Sequence, residues 1–420
     1  MKAKARAVIL GGGFAGLETA FMLRKRLGDS IDISIVSDRV EFLFKPNTIY
    51  IPFGGELDPL LIGLKRPLER KSIDFVNGKV MEVDPNKKQV HLQDGSNVAY
   101  DFLVIATGAT MRPDEIPGLE DHAATIWTPN EMYELRRRLA SLKSRVLLGD
   151  RQEVLFVVPP NNKCSGPLYE IVFMLETWLR RQNLREKVSI TYSTYEQSFI
   201  QAFGPRLNDV VLGQFADRGI QGHTEEIVEK VRPDEVDFKG GLSRSYDLLI
   251  SFPPYAAAVQ YPALPSDERG FLTTNLETRQ VSGHPEIYAP GDAGDFPVKQ
   301  AFLAFLQADA VADHIAHQVS GTKIRAAFDP ISMCVMEMLD VATFAQVPLQ
   351  LTGNPDTPIE VRPGADDAYK VGTGKIWRLG KKALGIYLPL QFKAGRPFHA
   401  GAGWEAMNAA LKVMSRILAD

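Results

Sequence analysis

Two cysteines, Cys164 and Cys334, are the only thiols among 420 residues. A thiol pair can store two electrons by opening and closing a disulfide or a longer sulfur bridge, provided the fold brings both sulfurs to one place. Neither cysteine sits in a CxxC or His-rich cluster, so no zinc or haem site, and no metal at all, is expected. Cys164 follows the apolar run Glu153 to Val158, in Pro159-Pro-Asn-Asn-Lys-Cys-Ser-Gly-Pro167, and Cys334 lies in Ile331 to Asp340, ISMCVMEMLD. Taken alone, two thiols with apolar flanks also read as inert core residues.

A second kind of chemistry is written in glycines. Gly11-x-Gly13-x-x-Gly16 follows an apolar strand, Ala5 to Leu10, and opens a helix, Phe14 to Leu27, so that Phe14 and Ala15 line the turn. The first glycine makes the turn, the second admits a pyrophosphate, the third lets helix and strand pack closely, and the helix amino terminus faces the phosphates. A second strand, Ile31 to Val36, ends at Ser37 and Asp38, either of which can meet a ribose; Asp38 also reads as a solvated turn residue. Two later strand ends, Ala106-Thr107-Gly108 and Gly291-Asp292, resemble the paired elements of two-dinucleotide-domain flavoproteins and imply FAD, with Asp292 on the ribityl chain. Lys299, just before a helix predicted over Ala301 to Val319, would place positive charge at the flavin pyrimidine; its plainer reading is a surface lysine.

The elements around these motifs repeat a βαβ pattern. Strands are expected at Gln89 to Leu92, Val98 to Ile105, Glu153 to Val158, Val188 to Tyr192 and Asp247 to Phe252, and helices over Pro129 to Leu142 and Leu168 to Gln182. We read an α/β fold: two Rossmann-like dinucleotide-binding domains of the FAD/NAD(P)-binding disulfide-reductase-like kind, with a C-terminal membrane- or quinone-interacting region. Residues 1–115 with 256–325 make the FAD-binding domain, 116–255 the second Rossmann-like domain, and 326–420 the C-terminal region. In the second module the glycine turn is missing. Proline has no amide to offer a phosphate, and Lys163, Cys164 and Pro167 put side chains where close approach needs glycine. A cysteine stands in that place.

Composition closes other routes. Charges nearly balance, 48 Lys+Arg against 51 Asp+Glu, so nucleic acid is not an expected partner. The basic amino terminus runs at once into a strand, with no signal peptide, which reads as a chain on the cytoplasmic side. Residues 371–420 are a basic island, eight positive residues against two negative. Within it Trp404, Met407, Leu411, Met414 and Leu418 recur at helical spacing, flanked by Lys412 and Arg416, as suits a helix lying in a lipid headgroup layer; a dimer-forming or core-packing helix has the same pattern.

Over essentially its whole length the sequence resembles the sulfide:quinone oxidoreductase and flavocytochrome c sulfide dehydrogenase branch of the disulfide-reductase-like flavoproteins. The carrying residues are VILGGGFAGLETA (8–20), FKPN (44–47), YDFLVIATGA (100–109), KCSGPLYE (163–170), IYAPGDA with Lys299, and the Cys334 to Pro348 segment. The resemblance implies that Cys164 and Cys334 are bridged beside the flavin, that hydrosulfide opens the bridge, that the freed thiolate, expected to be Cys334, attacks flavin C4a, and that two electrons pass to a membrane quinone while sulfur leaves as polysulfide. It adds Lys45 and Val80 to the cofactor-binding candidates and assigns Glu170 as an acid or base near the sulfurs, although a carboxylate at a helix amino terminus explains Glu170 as well. Ile386 to Lys393 resembles the quinone-pocket and membrane-docking region, with Tyr387, Phe392, Lys393 and Trp404 as its candidates.

Departures from the family pattern matter too. Ile126-Trp127-Thr128 offers no third cysteine, so FAD should be noncovalent, and Tyr133, Gln197 and Gln201 stand where the family's sulfide-side histidines lie. The expected partners are sulfide, a membrane quinone, a lipid surface under the tail, and a second copy if the tail helix dimerises; the protein would be a peripheral (monotopic) membrane enzyme. A type II NADH:quinone oxidoreductase and a sulfur-binding or redox-sensing flavoprotein are the alternatives.

Overall fold

The computed structural model describes residues 4–324 and 326–419. A six-stranded sheet runs in the order Gln280–Val281, His284–Tyr288, Phe102–Ile105, Ala5–Leu10, Ile31–Ser37, Asp74–Asn77, parallel except at the first pair. Side chains alternate across a strand, and the Ala5–Leu10 strand uses both faces. Ala7 and Ile9 pack under the helices Phe14–Leu27 and Ala301–Ser320. Val8 and Leu10 pack on a three-stranded antiparallel sheet built from Val80–Asp84, Gln89–Leu92 and Asn97–Ala99. Burial on both faces is why the strand is continuously apolar.

The second module repeats the plan. Five parallel strands lie in the order Ala124–Thr125, Leu248–Ser251, Gln152–Val158, Val188–Thr194, Gln221–His223. Val154, Phe156 and Val158 face the helices Pro129–Leu148 and Gly166–Arg181, while Leu155 and Val157 face another three-stranded antiparallel sheet. Thr128 and Glu131 close a reciprocal cap that starts the Pro129–Leu148 helix.

The remaining chain forms a hairpin, Ile331–Glu337 with Ala342–Leu351, in which Cys334 lies opposite Ala345. Lys370–Gly374 pairs on the other edge of its second strand. The helices Lys375–Lys393 and Ala402–Leu418 follow. Arg218 ties the hairpin to the second module, reaching Glu176 on the Gly166–Arg181 helix at 2.7 Å and Asp340 in the hairpin turn at 3.0 Å.

Two local expectations change. The single strand expected over Val98 to Ile105 is two, because Asn97–Ala99 turns into the antiparallel sheet before Phe102–Ile105 enters the parallel one. The tail helix carries Trp404, Met407, Leu411 and Met414 inward against the protein's own clusters, so most of the face read as lipid-directed is core-facing. The exposed apolar side chains there are Val413, Ile417 and Leu418, joined by Leu379, Ile386 and Leu390 of the preceding helix. Among the described residues no helix is long and apolar enough to cross a membrane.

Candidate redox-cysteine and dinucleotide site

The first glycine turn is shaped for a pyrophosphate. Gly11 has φ of +104°, and a Cβ there would meet the Ala106 carbonyl at 2.4 Å. A Cβ on Gly16 would stand 2.0 Å from the Gly11 carbonyl, so the helix can approach only because that position is bare. A Cβ on Gly13 would enter open space, and no side chain caps the helix that starts there, leaving its first amides free for an anion. Phe14 stacks edge-on to Phe42 at 4.9 Å. Ala15, Ala106, Ala304 and Ala308 form a small-residue floor between the two helices. Gly291, at φ +73°, fits against Ala15 and Ala304, which brings the Asp292 turn against the glycine turn. Thr107 and Gly108 follow Ala106 at the end of the adjacent strand, and Gly108 takes φ of +76°.

Ser37 and Asp38 part company in the structure. Ser37 is buried and its hydroxyl accepts the Arg39 amide at 3.1 Å, while Asp38 is exposed at the strand end. Val80 is half-buried at the start of the antiparallel layer.

Lys299 is not a surface lysine: it is 3% exposed, its ammonium donates to the Gly294 carbonyl, and it lies 3.8 Å from the Phe271 ring centre. Burial pulls its pKa down to about 7, opposed by Asp292. Lys45 sits 3.0 Å over the Trp127 ring and is likewise brought to about 7, by burial first, against the pull of Asp292. Burial pushes the Asp292 carboxyl up while both lysines hold it down. A carboxyl between two lysines beside an open glycine cradle is a donor set that fits the ribityl and pyrimidine parts of a flavin dinucleotide.

The cysteines converge on the same place by backbone bonds. The Lys299 amide donates to the carbonyl of Lys163 at 3.1 Å, and the Gln300 side chain donates to the carbonyl of Met333 at 3.2 Å. The residue before each cysteine is therefore fastened to one of two consecutive residues at the start of the Ala301–Ser320 helix. Ser332 completes the tie, its hydroxyl donating to Gln300 at 2.9 Å. Asn162, buried, shapes the Cys164 loop by accepting the Cys164 amide at 2.9 Å and donating to the Phe252 carbonyl at 2.8 Å.

Cys164 stands at the amino terminus of the Gly166–Arg181 helix, and the Gly166 amide donates to its sulfur. The sulfur thus takes the position and the amide that a phosphate would use in a nucleotide-binding module. Burial pushes the Cys164 thiol up, and the neighbouring Cys334 adds to the rise. Burial pushes Cys334 up to about 12, with Glu170 adding and Lys381 opposing. Both thiols are held protonated near neutral pH.

Glu170 faces the Cys334 strand. It accepts the Glu337 amide at 2.7 Å and pairs with Lys381, whose ammonium also donates to the Val335 carbonyl at 2.8 Å. Burial raises its pKa and Lys381 restrains the rise. Glu337, fully buried, accepts Tyr50 at 2.6 Å and Arg378 at 2.7 Å. Lys381, Arg378, Glu337 and Tyr50 were not among the sequence candidates. Arg378 and Lys381 belong to the basic island, and their pairing with Glu337 and Glu170 offsets both of their charges.

Of the quinone-side candidates, Phe392 is buried among Phe21, Phe42 and Phe305, Tyr387 and Trp404 flank Phe398, and Lys393 is exposed.

Residues 5–150 match the family model "Pyridine nucleotide-disulphide oxidoreductase". The sulfide-quinone reductase of Aquifex aeolicus is 28% identical over 260 residues, 61% of this chain and 59% of its own length, so the match spans less than two thirds of that relative. The mitochondrial sulfide:quinone oxidoreductase of Dictyostelium discoideum is 22% identical over 352 residues, covering 80% of this chain and 75% of the relative. The crystal structure of the Aquifex aeolicus sulfide:quinone oxidoreductase superposes with a TM-score of 0.85 at 23% identity over 98% of this chain and 96% of that one, which establishes the shared fold. With its two-module disulfide-reductase-like architecture, the chain is similar in sequence and in fold to sulfide:quinone oxidoreductases.

Proposed function

We propose that this protein is a flavin-dependent oxidoreductase that oxidises sulfide to sulfane sulfur through Cys164 and Cys334 and passes the electrons to a membrane quinone. The observation that carries the reading is the placement of Cys164: its sulfur receives the Gly166 amide at a helix amino terminus where a second nucleotide would dock, and its loop is fastened to Lys299.

The cofactor is FAD, held noncovalently by the Gly11–Gly16 turn, Asp38, Ala106 to Gly108, Asp292, Lys45 and Lys299; when bound it supplies a two-electron acceptor beside the sulfurs. The protein's own part is sulfur handling. Hydrosulfide opens a Cys164–Cys334 bridge at one sulfur, leaving a persulfide there and a thiolate at the other. The Gly166 amide and the helix dipole stabilise negative charge on Cys164, and the Lys381 ammonium does so for Cys334, with Glu170 setting how strongly. The enzyme lies on a membrane surface through Leu379, Ile386, Leu390, Val413 and Ile417.

Anaerobic titration of the flavoprotein tests this. Sulfide should bleach the flavin and NADH should not, and Cys164→Ser and Cys334→Ser should each abolish the sulfide response. Bleaching by NADH would establish a nicotinamide dehydrogenase instead, and undiminished sulfide bleaching in both variants would remove the cysteines from the reaction.

A further inference from the structure

Beneath the tail lies a buried polar cluster with no part in sulfur chemistry. Glu18 of the Phe14–Leu27 helix, Asp309 of the Ala301–Ser320 helix and His399 of the loop before the last helix bring their ligand atoms within 4.8 Å of one another. Glu18 is fully buried and accepts the amides of Phe398 at 2.6 Å and His399 at 3.1 Å. Its carboxyl also shares a hydrogen bond with Asp309, and burial, with that second carboxyl beside it, raises its pKa well above the usual carboxylate range. His399 Nδ1 lies 2.6 Å from Asp309 Oδ2. Two buried atoms remain without partners: His399 Nε2 and Asp309 Oδ1.

The surroundings of that imidazole are aromatic. Ring centres of Trp404, Phe398, Phe302 and Phe305 lie at 4.6, 4.9, 5.4 and 5.7 Å from it. Tyr387 packs edge-on against Phe398, and its hydroxyl takes a hydrogen bond from the Gln391 side chain. Unpaired polar atoms inside an apolar wall are costly and call for a ligand that completes them. A flat, largely apolar molecule with carbonyl oxygens satisfies both the rings and the imidazole. A metal ion suits the site less, because both Glu18 oxygens already hold backbone amides and Nδ1 already faces Asp309.

We infer that His399 is the proton donor to the quinone, with Asp309 as its positioning carboxylate and Glu18, which holds the Phe398 and His399 amides, as the prop that fixes the loop. This rests on the quinone-reductase reading above and names the group that reading lacked. Reduction of a quinone to its quinol takes two electrons and two protons; a bound reduced flavin would supply the electron pair together with one hydrogen, which leaves one proton for the protein to provide. The His399 Nε2–H bond breaks as a quinone O–H bond forms, the imidazolium becomes a neutral imidazole still donating Nδ1–H to Asp309, and solvent reprotonates it before the next turnover. The charged or titratable groups around it are Glu18, Asp309, Tyr387 and, beyond Tyr387, Arg396.

The test separates the half-reactions in the FAD-loaded enzyme. In His399→Gln, and in Asp309→Asn as the second variant, sulfide should still bleach the flavin and ferricyanide, which takes no proton, should reoxidise it at the wild-type rate. Reoxidation by a short-chain ubiquinone should slow by about 100-fold, the order general acid catalysis contributes. The solvent deuterium effect and pH dependence of that step should disappear with it. A third readout needs no turnover: the ¹⁵N spectrum of histidine-labelled protein should show the His399 nitrogens shift when quinone is added. Wild-type quinone rates with the pH profile intact in both variants would overturn the assignment, as would tight Zn²⁺ binding by calorimetry that both variants lose. Loss of sulfide bleaching in the wild type would instead sink the function on which it rests.

Discussion

Glu170 and Lys381 form a buried ion pair that joins the Gly166–Arg181 helix, just after Cys164, to the Lys375–Lys393 helix beside the Cys334 strand. The two act on Cys334 with opposite sign, Glu170 raising its pKa and Lys381 lowering it. Glu170→Gln should therefore move the pH midpoint for alkylation of reduced Cys334 downward, and Lys381→Met should move it upward. Lys381→Met also strands a buried carboxylate, a change that typically costs about 3–5 kcal/mol, so its denaturation midpoint should fall while Glu170→Gln loses less. Iodoacetamide labelling against pH, read by mass spectrometry at each cysteine, checks both signs; equal shifts in one direction would show that the pair acts only through packing.

Glu196 has no cation beside it. The buried carboxyl accepts Thr194 at 2.9 Å, the Gln201 amide at 3.1 Å and, weakly, Ser165 next to Cys164 at 3.4 Å. Burial raises its pKa to about 7 against the ordinary value of 4.5. A carboxyl whose folded pKa is raised binds a proton in the native state that the unfolded chain has released, so its stabilising contribution is whole below pH 4.5 and lost as pH climbs through 7. Glu196→Gln keeps the shape without the charge and should flatten that limb, gaining roughly 3 kcal/mol over wild type at pH 8. Urea denaturation at intervals from pH 4 to 8 is the measurement, and parallel curves for the two proteins would refute it.

Most of the frame was legible in the sequence because its signals are local. The Gly11–Gly16 turn is set by adjacent strand and helix, and the apolar runs declare strands buried on both faces. Lys299 was ambiguous because a lysine's burial is decided by Phe271 and Gly294, which no neighbouring residue announces. Lys381, Arg378 and His399 were missed for a related reason. Their partners, Glu170, Glu337 and Asp309, lie far away along the chain, so the pairing leaves no spacing to read. The tail helix shows the same limit. Its apolar period is real, but a period gives a face without saying whether protein or lipid covers it.

Gly13 and Gly16 separate binding from folding. A methyl group at Gly13 enters open space, whereas one at Gly16 meets a carbonyl at 2.0 Å. Gly13→Ala should fold with near wild-type helix content and purify without flavin, because the methyl fills the phosphate approach. Gly16→Ala should fail to reach a native state or melt far below wild type. Flavin content by absorbance and unfolding by circular dichroism distinguish them, and a Gly13→Ala protein that retains stoichiometric flavin would show that the pyrophosphate sits elsewhere.

The proposed membrane association turns on which apolar residues are outward. Ile386, Leu390 and Ile417 are 64%, 59% and 72% exposed, on two consecutive helices, whereas Met407 is half-buried and packs inward with Trp404. Inserting a side chain of that size into the interfacial layer is worth roughly 1–3 kcal/mol each. The triple variant Ile386→Ser, Leu390→Ser, Ile417→Ser should thus lower partition into liposomes by at least a hundredfold while leaving the melting temperature and the ferricyanide-coupled oxidation of sulfide unchanged. Met407→Ser should do the reverse, destabilising the tail with little direct effect on partition, because its methyl and sulfur contact protein and not lipid. Co-sedimentation with vesicles containing anionic lipid reads the first effect and thermal unfolding the second. If the triple variant sediments as wild type does, this face does not contact lipid, and these side chains are left for a protein partner or a second copy to cover.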